Sequence, residues 1–253
     1  MFNEKSIKLF GRVAVRASNH SSSEFKTAQC RALLVHLAMS PGEEQSRKRL
    51  AEALWPEEGQ GATGNRLSVA LYHLRHLLDS LDEGFASCIV ATRDSLVLVD
   101  TGIAVDFGQF RSSVQAARLT DDVAMKRLRY QDAVAKYSGG LAPEVAMPWL
   151  VTMQLETERM FQEAVLWLAN DFDARSQRDK AMHVLSEALT VTTTLEPAAE
   201  LLTRWHLDRG EVHLAKACAT RIRRSLISID VSIGPRMLGL IQKINSQVEP
   251  SSH

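Results

Sequence analysis

The 253-residue chain carries 30 Lys and Arg against 30 Asp and Glu, a formal charge of zero that argues against a protein coating nucleic acid through bulk positive charge. With 45% hydrophobic and 24% charged residues it has enough apolar material for two ordinary domains, and wholesale disorder is excluded. The opening MFNEKSIKLF lacks a cationic stretch followed by an apolar one, and no run approaches the roughly 18 apolar residues of a membrane span. A soluble, unexported, cytoplasmic protein without membrane contact is therefore expected.

Residues 7–17 (IKLFGRVAVRA) alternate around Gly11 and read as two short strands joined by a turn. SNHSSSEFK, which follows, reads as a polar loop. From Thr27, a candidate N-cap, Cys30, Leu33, Leu34, Leu37 and Ala38 recur at helical spacing until Pro41-Gly42 stops them. A shorter helix runs from Ser46 as N-cap through Leu50, Ala53, Leu54 and Trp55, and Pro56 ends it.

Residues 65–81 (NRLSVALYHLRHLLDSL) form the third predicted helix. At about 100° per residue, Leu71, Leu74 and Leu78 fall within about 40° of Leu67, with Ala70 and Leu77 at the edge of the same core face. Opposite lie Asn65, Val69, Tyr72 and His76, with His73 close by and Arg66 and Arg75 on the two flanks. No acid occurs between Glu58 and Asp79. A polar face opposite a leucine stripe is what any surface helix shows. Here, however, an amide, a phenol and two imidazoles suit base-edge hydrogen bonds, and the arginines bracket them where the phosphate walls of a major groove would lie. Exposed at the centre, Val69 could meet a thymine methyl.

SCIVAT (87–92) and SLVLVD (95–100) are apolar, β-branched runs separated by Arg93-Asp94, the signature of a tight hairpin. Two strands, three helices and a terminal hairpin is the order of a winged helix, whose third helix enters the major groove while the hairpin reaches the neighbouring backbone. In that placement Arg93 is a wing contact, and Arg47 and Lys48 at the start of the second helix are phosphate contacts that position the domain.

The stretch LLVHLAMSPGEEQSRKRLAEALWPEEGQGATGNRLSVALYHLRHLLD resembles the OmpR-type winged helix of bacterial transcriptional activators of the antibiotic-regulatory-protein class. The shared features are a short second helix ending in LW and an N-R-L-x-V-x-L-x-x-L-R third helix. Beyond residue 106 no strand is expected; amphipathic helices follow at about 107–118, 120–137, 149–175, 179–192, 197–209, 211–229 and 235–247. Superimposing ARSQRDKAMHVLSEAL on DRGEVHLAKACATRI sets Arg175 over Arg209, Ala181 over Ala215 and Ala188 over Ile222, an offset of 34 residues. This is the tetratricopeptide period, and small residues such as Ala181 and Ala215 let paired helices approach closely. VDFGQF, AVAKYSGGL and WL followed by ETER are similar to the bacterial transcriptional activator domain that follows the winged helix in such regulators. IDVSIGP (229–235) stands where a segment resembling Leu-Gly-Val-Glu-Pro is usual.

The expected fold is mainly α: an N-terminal winged helix with small antiparallel β elements over residues 1–104, then an all-α tetratricopeptide-like repeat domain over 105–253. The expected function is a sequence-specific transcriptional activator of double-stranded promoter DNA. The resemblance implies protomers pairing on direct repeats, with the helical domain mediating dimerisation or partner contact. It further implies a loop at 56–64 able to face RNA polymerase, and Glu57 and Glu58 give that loop an acidity suited to protein rather than DNA. A second class of function, a protein-interaction adaptor whose winged helix does not bind DNA, is motivated by 12 basic against 12 acidic residues through Asp100.

Enzymatic chemistry finds no support: the sequence has no P-loop, G-x-S-x-G, H-E-x-x-H or Gly-rich dinucleotide turn, and no cofactor is implied. His73 and His76 are three apart on a helix, as paired metal ligands can be, but no nearby motif supplies a third ligand. Cys30, Cys88 and Cys218 are odd in number and far apart, which suits reduced structural thiols.

Overall fold

The computed structural model describes residues 5–17, 20–57, 63–99 and 102–248. Its contacts divide the chain into two compact units, Met1–Ser113 with Lys136–Thr157, and Val114–Ala135 with Glu158–His253. This grouping differs from a simple break near residue 104. The first unit also takes in residues 106–113 and 136–157, and the side chains of Asp106, Phe110, Tyr137 and Glu144 supply the reason.

The first unit begins with β1 (Lys5–Lys8), β2 (Ala14–Ala17) and β3 (His20–Ser22), antiparallel neighbours in that order, and β7 (Ile103–Val105) adds to β1 in parallel. β3 corrects the expectation of a loop at its position: backbone pairing of Val15 with Ser22 and Arg16 with Ser21 builds an edge strand from polar residues. Asp106 closes the sheet's end. Its carboxylate accepts from the backbone N–H of Leu9 at 2.8 Å, Phe10 at 3.1 Å and Phe107 at 2.7 Å. Burial nonetheless raises the Asp106 pKa, those three donors and Lys8 pulling the other way. Phe10 packs against Phe110 and Tyr137 with ring centroids 5.2 and 4.9 Å apart. Residues 138–142 cross the β1–β2 turn, where Gly11 N–H donates to the Gly140 carbonyl at 2.9 Å. A Cβ on Gly139, whose φ is +147°, would lie 3.1 Å from Gly11 Cα, so the two glycines permit the crossing. Val13 N–H donates to Glu144 at 2.8 Å, a further tie between strand region and loop.

Helix α1 (Ala28–Met39) is capped by the Thr27 hydroxyl, which accepts from Cys30 N–H at 3.0 Å. Ala32 and Val35 are buried as well as the expected stripe, so α1 is enclosed on more sides than its periodicity implies. After β4 (Gln45–Ser46) comes α2 (Arg47–Leu54), with Ser46 at the N-cap position but no side-chain cap bond; its backbone pairs with Ser95 instead. α3 (Thr63–Leu81) and a 3₁₀ turn (Phe85–Cys88) follow. The hairpin of β5 (Ile89–Ala91) and β6 (Ser95–Leu98) then makes the wing, and β4 lies on its other edge.

The remaining helices are α4 (Asp106–Leu119), α5 (Val123–Lys136), α6 (Pro148–Ala174), α7 (Arg178–Val191), α8 (Glu196–Asp208), α9 (Val212–Ser228) and α10 (Pro235–Val248). Each sits within a few residues of its predicted range. In the second unit Tyr130 donates to Glu163 at 2.7 Å, and the Glu163 carboxylate also accepts from Nε and Nη2 of Arg118. Those bonds hold the Glu163 pKa below its ordinary value. The 34-residue offset is physical. α7 and α9 start 34 positions apart, and Ala181, Ala215, Ala188 and Ile222 are all buried where neighbouring helices pack. Of the thiols, Cys30 in the first unit is buried, whereas Cys88 in the first unit and Cys218 in the second are half-buried; burial pushes Cys30 and Cys88 up to about 11 and raises Cys218.

Candidate nucleic-acid interface

Helix α3 carries the predicted site, and its two faces separate as the periodicity requires. Leu67, Ala70, Leu71, Leu74 and Leu78 are buried against the rest of the first unit. Asn65, Arg66, Val69, Tyr72 and His76 are exposed, whereas His73 and Arg75 are half-buried. Val69 and Tyr72 keep 49% and 64% of their surface open, a large apolar and aromatic exposure on one face that no element among the described residues covers. The Tyr72 ring lies 5.5 Å from His73 and 6.4 Å from His76, so the three rings form one aromatic edge with hydrogen-bonding tips. Among the described residues no group of three or more His, Cys, Asp or Glu could hold a metal ion, and His73 and His76 gain no third ligand.

The flanking arginines have different surroundings. Arg66 is exposed at the start of the helix. Arg75 turns inward, and its Nη2 donates to the Ile89 carbonyl at 2.8 Å, which ties α3 to the first strand of the wing. Arg47 also has a partner within the domain, donating to the Ser68 hydroxyl at 2.9 Å and linking the start of α2 to the outer edge of α3. Lys48 beside it is exposed.

The wing tip is built as a two-residue turn. Thr92 N–H donates to the Ser95 carbonyl at 3.0 Å, and Thr92 Oγ1 accepts from the N–H of Asp94 and Ser95. Ser95 Oγ donates in turn to the Glu44 carboxylate, and Arg47 N–H donates to the Asp94 carbonyl at 2.9 Å. Exposed Arg93 is thus brought next to the start of α2, so Arg47, Lys48 and Arg93 share one region despite a separation of more than forty residues. Glu57 is exposed after α2; Glu58 and most of the 56–64 loop lie outside the described residues.

Sequence reasoning missed Glu24, Phe25 and Lys26, which line an open groove of about 640 Å³ with Tyr72, His73, His76 and Ser80. Exposed Lys26 adds a cation beside the aromatic edge. Its position before the Thr27 cap was visible in the sequence, but its nearness to α3 depends on tertiary packing.

An α3 with an exposed polar face, a wing tied to it through Arg75 and a following array of helices define a winged-helix protein with an appended helical-repeat unit. EmbR of Mycobacterium tuberculosis, solved in complex with a low-affinity phosphopeptide, has a similar fold. It aligns with a TM-score of 0.64 over 99% of this chain and 67% of its own, at 17% identity. No family model matches the sequence, and no curated protein matches it.

Proposed function

We propose that this chain is a sequence-specific DNA-binding transcriptional regulator that lays α3 in the major groove of promoter DNA and sets the β5–β6 wing against the adjacent backbone. The carrying observation is the outward face of α3, on which Asn65, Val69, Tyr72 and His76 stand exposed with Arg66 beside them and no acid before Asp79. An Asn amide can pair with both N6 and N7 of adenine, Tyr and His tips can meet base edges or phosphate, and a Val methyl suits thymine. Lys26, Lys48, Arg66 and Arg93 supply phosphate contacts around that face, and the EmbR-like architecture agrees with this use at the level of fold.

In this reading, residues 1–104 form the DNA-binding domain and 105–253 an activator domain that pairs protomers or meets a protein partner. The acidity of Glu57 and Glu58 suits a protein partner rather than DNA, with RNA polymerase the partner that the activator resemblance implies. The site of action is the cytoplasm, on the nucleoid.

Selection from random duplexes followed by anisotropy titration tests this. One enriched motif is expected, bound about a thousandfold or more tighter than unrelated duplex at physiological salt. Asn65→Ala and Tyr72→Ala are each expected to cost about 1–3 kcal/mol on that motif while leaving unrelated duplex nearly unaffected. Failure to enrich any motif, together with salt-independent binding, would overturn the proposal in favour of a protein-interaction adaptor.

A further inference from the structure

Charge in the second unit is sorted along the chain. Up to the start of α9 its arginines find carboxylates: Arg118 pairs with Glu163, Arg127 and Arg175 with Asp171, Arg178 with Asp173 and Arg209 with Asp179. Residues 212–248 then hold six Lys and Arg but only Asp230 as an acid. Four of the six, Lys216, Arg221, Arg223 and Arg224, stand on α9, which has no acid at all. All four are exposed, as is Lys243 on α10, and among the described residues the side chains of these five make no hydrogen bond or ion pair. The sixth, Arg236, is offset by Glu200 and lies on another side of α10. Two ordinary reasons for cations on a helix are absent here. α9 offers them no carboxylate along its own surface, and none stands in its last turn, where the helix dipole would favour it.

Between α9 and α10 runs an open groove of about 160 Å³. Buried Ala219 and Ile244 and half-buried Ile241 form its floor, and exposed Lys216, Thr220 and Arg223 form its α9 rim. Lys216 and Arg223 are seven residues apart, so they fall on one line along α9, about 10.5 Å from each other, with Thr220 between them. Toward the α9–α10 turn the surface becomes apolar: Ile227, one turn past Arg223, and Leu238, one turn before Ile241, are 60% and 45% exposed.

Size and chemistry select the occupant. The groove is smaller than the roughly 300–1,000 Å³ of small-molecule sites and close to the roughly 150 Å³ that takes a benzene ring, so it suits one apolar side chain of a larger partner. A duplex backbone would pair with the cations but leave the isoleucine floor, Ile227 and Leu238 uncovered. Residues 212–248 contain no Phe, Tyr or Trp, the rings on which single-stranded bases stack and with which surface helices anchor in lipid.

We propose that the α9–α10 face binds an acidic amphipathic helix of a partner protein. Carboxylates two turns apart on that helix pair with Lys216 and Arg223, an aliphatic side chain between them enters the groove over Ile241 and Ile244, and further apolar residues cover Ile227 and Leu238. Arg224 and Lys243 widen the positive field that draws the segment in. The surface draws nothing from α3 and stands apart from the DNA-binding proposal.

The test titrates the full chain by anisotropy against three labelled peptides of about 18 residues: one with leucines along one helical face and glutamate and alanine elsewhere, one with serine for every leucine, and one with glutamine for every glutamate. The acidic, leucine-bearing peptide is expected to bind at least tenfold tighter than either of the others. Lys216→Gln plus Arg223→Gln is expected to lose at least tenfold in affinity for it. Thr220→Trp, which fills the groove from an exposed position, is expected to lose as much, and both variants to keep the thermal midpoint of the parent. Should Thr220→Trp misfold, the charge variant, whose two side chains are exposed, carries the test. The proposal fails if the three peptides bind alike or if a folded variant binds the acidic peptide as the parent does. It fails equally if the charge variant loses as much affinity for duplex DNA or for phosphatidylglycerol vesicles, or if sedimentation shows a parent dimer that the charge variant dissociates, since the surface would then belong to phosphate, lipid or a second copy.

Discussion

A guanidinium holds five N–H donors in one plane, so the direction in which it points them decides what an arginine on α3 can give to a bound duplex. The helical positions of Arg66 and Arg75 make them look equivalent, one on either flank of the exposed face. Arg75, however, is half-buried and donates to the Ile89 carbonyl at 2.8 Å, so its part is to hold the wing against α3. Truncating it removes one hydrogen bond and loosens the hairpin that carries Arg93. Arg75→Ala is therefore expected to weaken DNA binding by about 1 kcal/mol with only a small change in salt dependence. Arg66→Ala, by contrast, is expected to reduce the slope of log K against log salt by about 0.9, as loss of one phosphate contact demands. Anisotropy titrations at several NaCl concentrations separate the two effects. A slope change for Arg75→Ala as large as that for Arg66→Ala would place Arg75 on phosphate and sink its positioning role.

Helix ends in the second unit repeat as closely as helix faces do. After α6, Gln177 N–H reaches the Phe172 carbonyl at 2.9 Å and Ser176 has a φ of +58°; 34 residues on, Glu211 N–H reaches the His206 carbonyl at 2.9 Å and Gly210 has a φ of +73°. Both are left-handed terminations in which the residue at the turn gains from lacking a side chain. Ser176→Gly is expected to raise stability by about 0.5–1 kcal/mol and Gly210→Ala to lower it by about 1 kcal/mol or more, read as opposite shifts of the urea midpoint. Shifts of the same sign would show that left-handed backbone does not control these ends. Such helices were legible because a 3.6-residue period and a 34-residue repeat are properties of the local sequence. Strands β4 and β7 were not, since two or three residues become strand only by pairing Gln45 with Leu96 or Lys5 with Ile103. The same divide runs through the candidate interface. The exposed face of α3 follows from angular spacing, whereas the Arg47–Ser68 and Arg75–Ile89 bonds and the place of Lys26 depend on contacts between distant segments.

At the scale of the whole molecule, zero net charge constrains DNA binding without excluding it. The balance holds in both halves, 12 basic to 12 acidic residues through residue 100 and 18 to 18 after it, so neither half acts as a polycation. What the first unit does have is local segregation: acids gather at 43–58 and 79–83, leaving the stretch between them with Arg66 and Arg75 and no acid. Counting Lys26, Lys48, Arg66 and Arg93 as phosphate contacts, counterion release gives a salt slope of about −3.6 per protomer. Raising salt from about 50 to 200 mM then costs a single bound protomer on the order of a hundredfold in affinity, a dependence modest beside that of strongly basic DNA-binding proteins. Useful affinity from so few contacts calls for a second protomer on an adjacent site, where linkage multiplies affinity by about 10²–10⁴ without any new kind of contact. Duplexes carrying one selected motif, or two in tandem about 10.5 base pairs apart, test this in one salt series. The tandem duplex is expected to show a slope near −7 and tighter, cooperative binding. Equal slopes on the two duplexes would remove the need for a second protomer, and a flat response on both would count against DNA as the partner of α3.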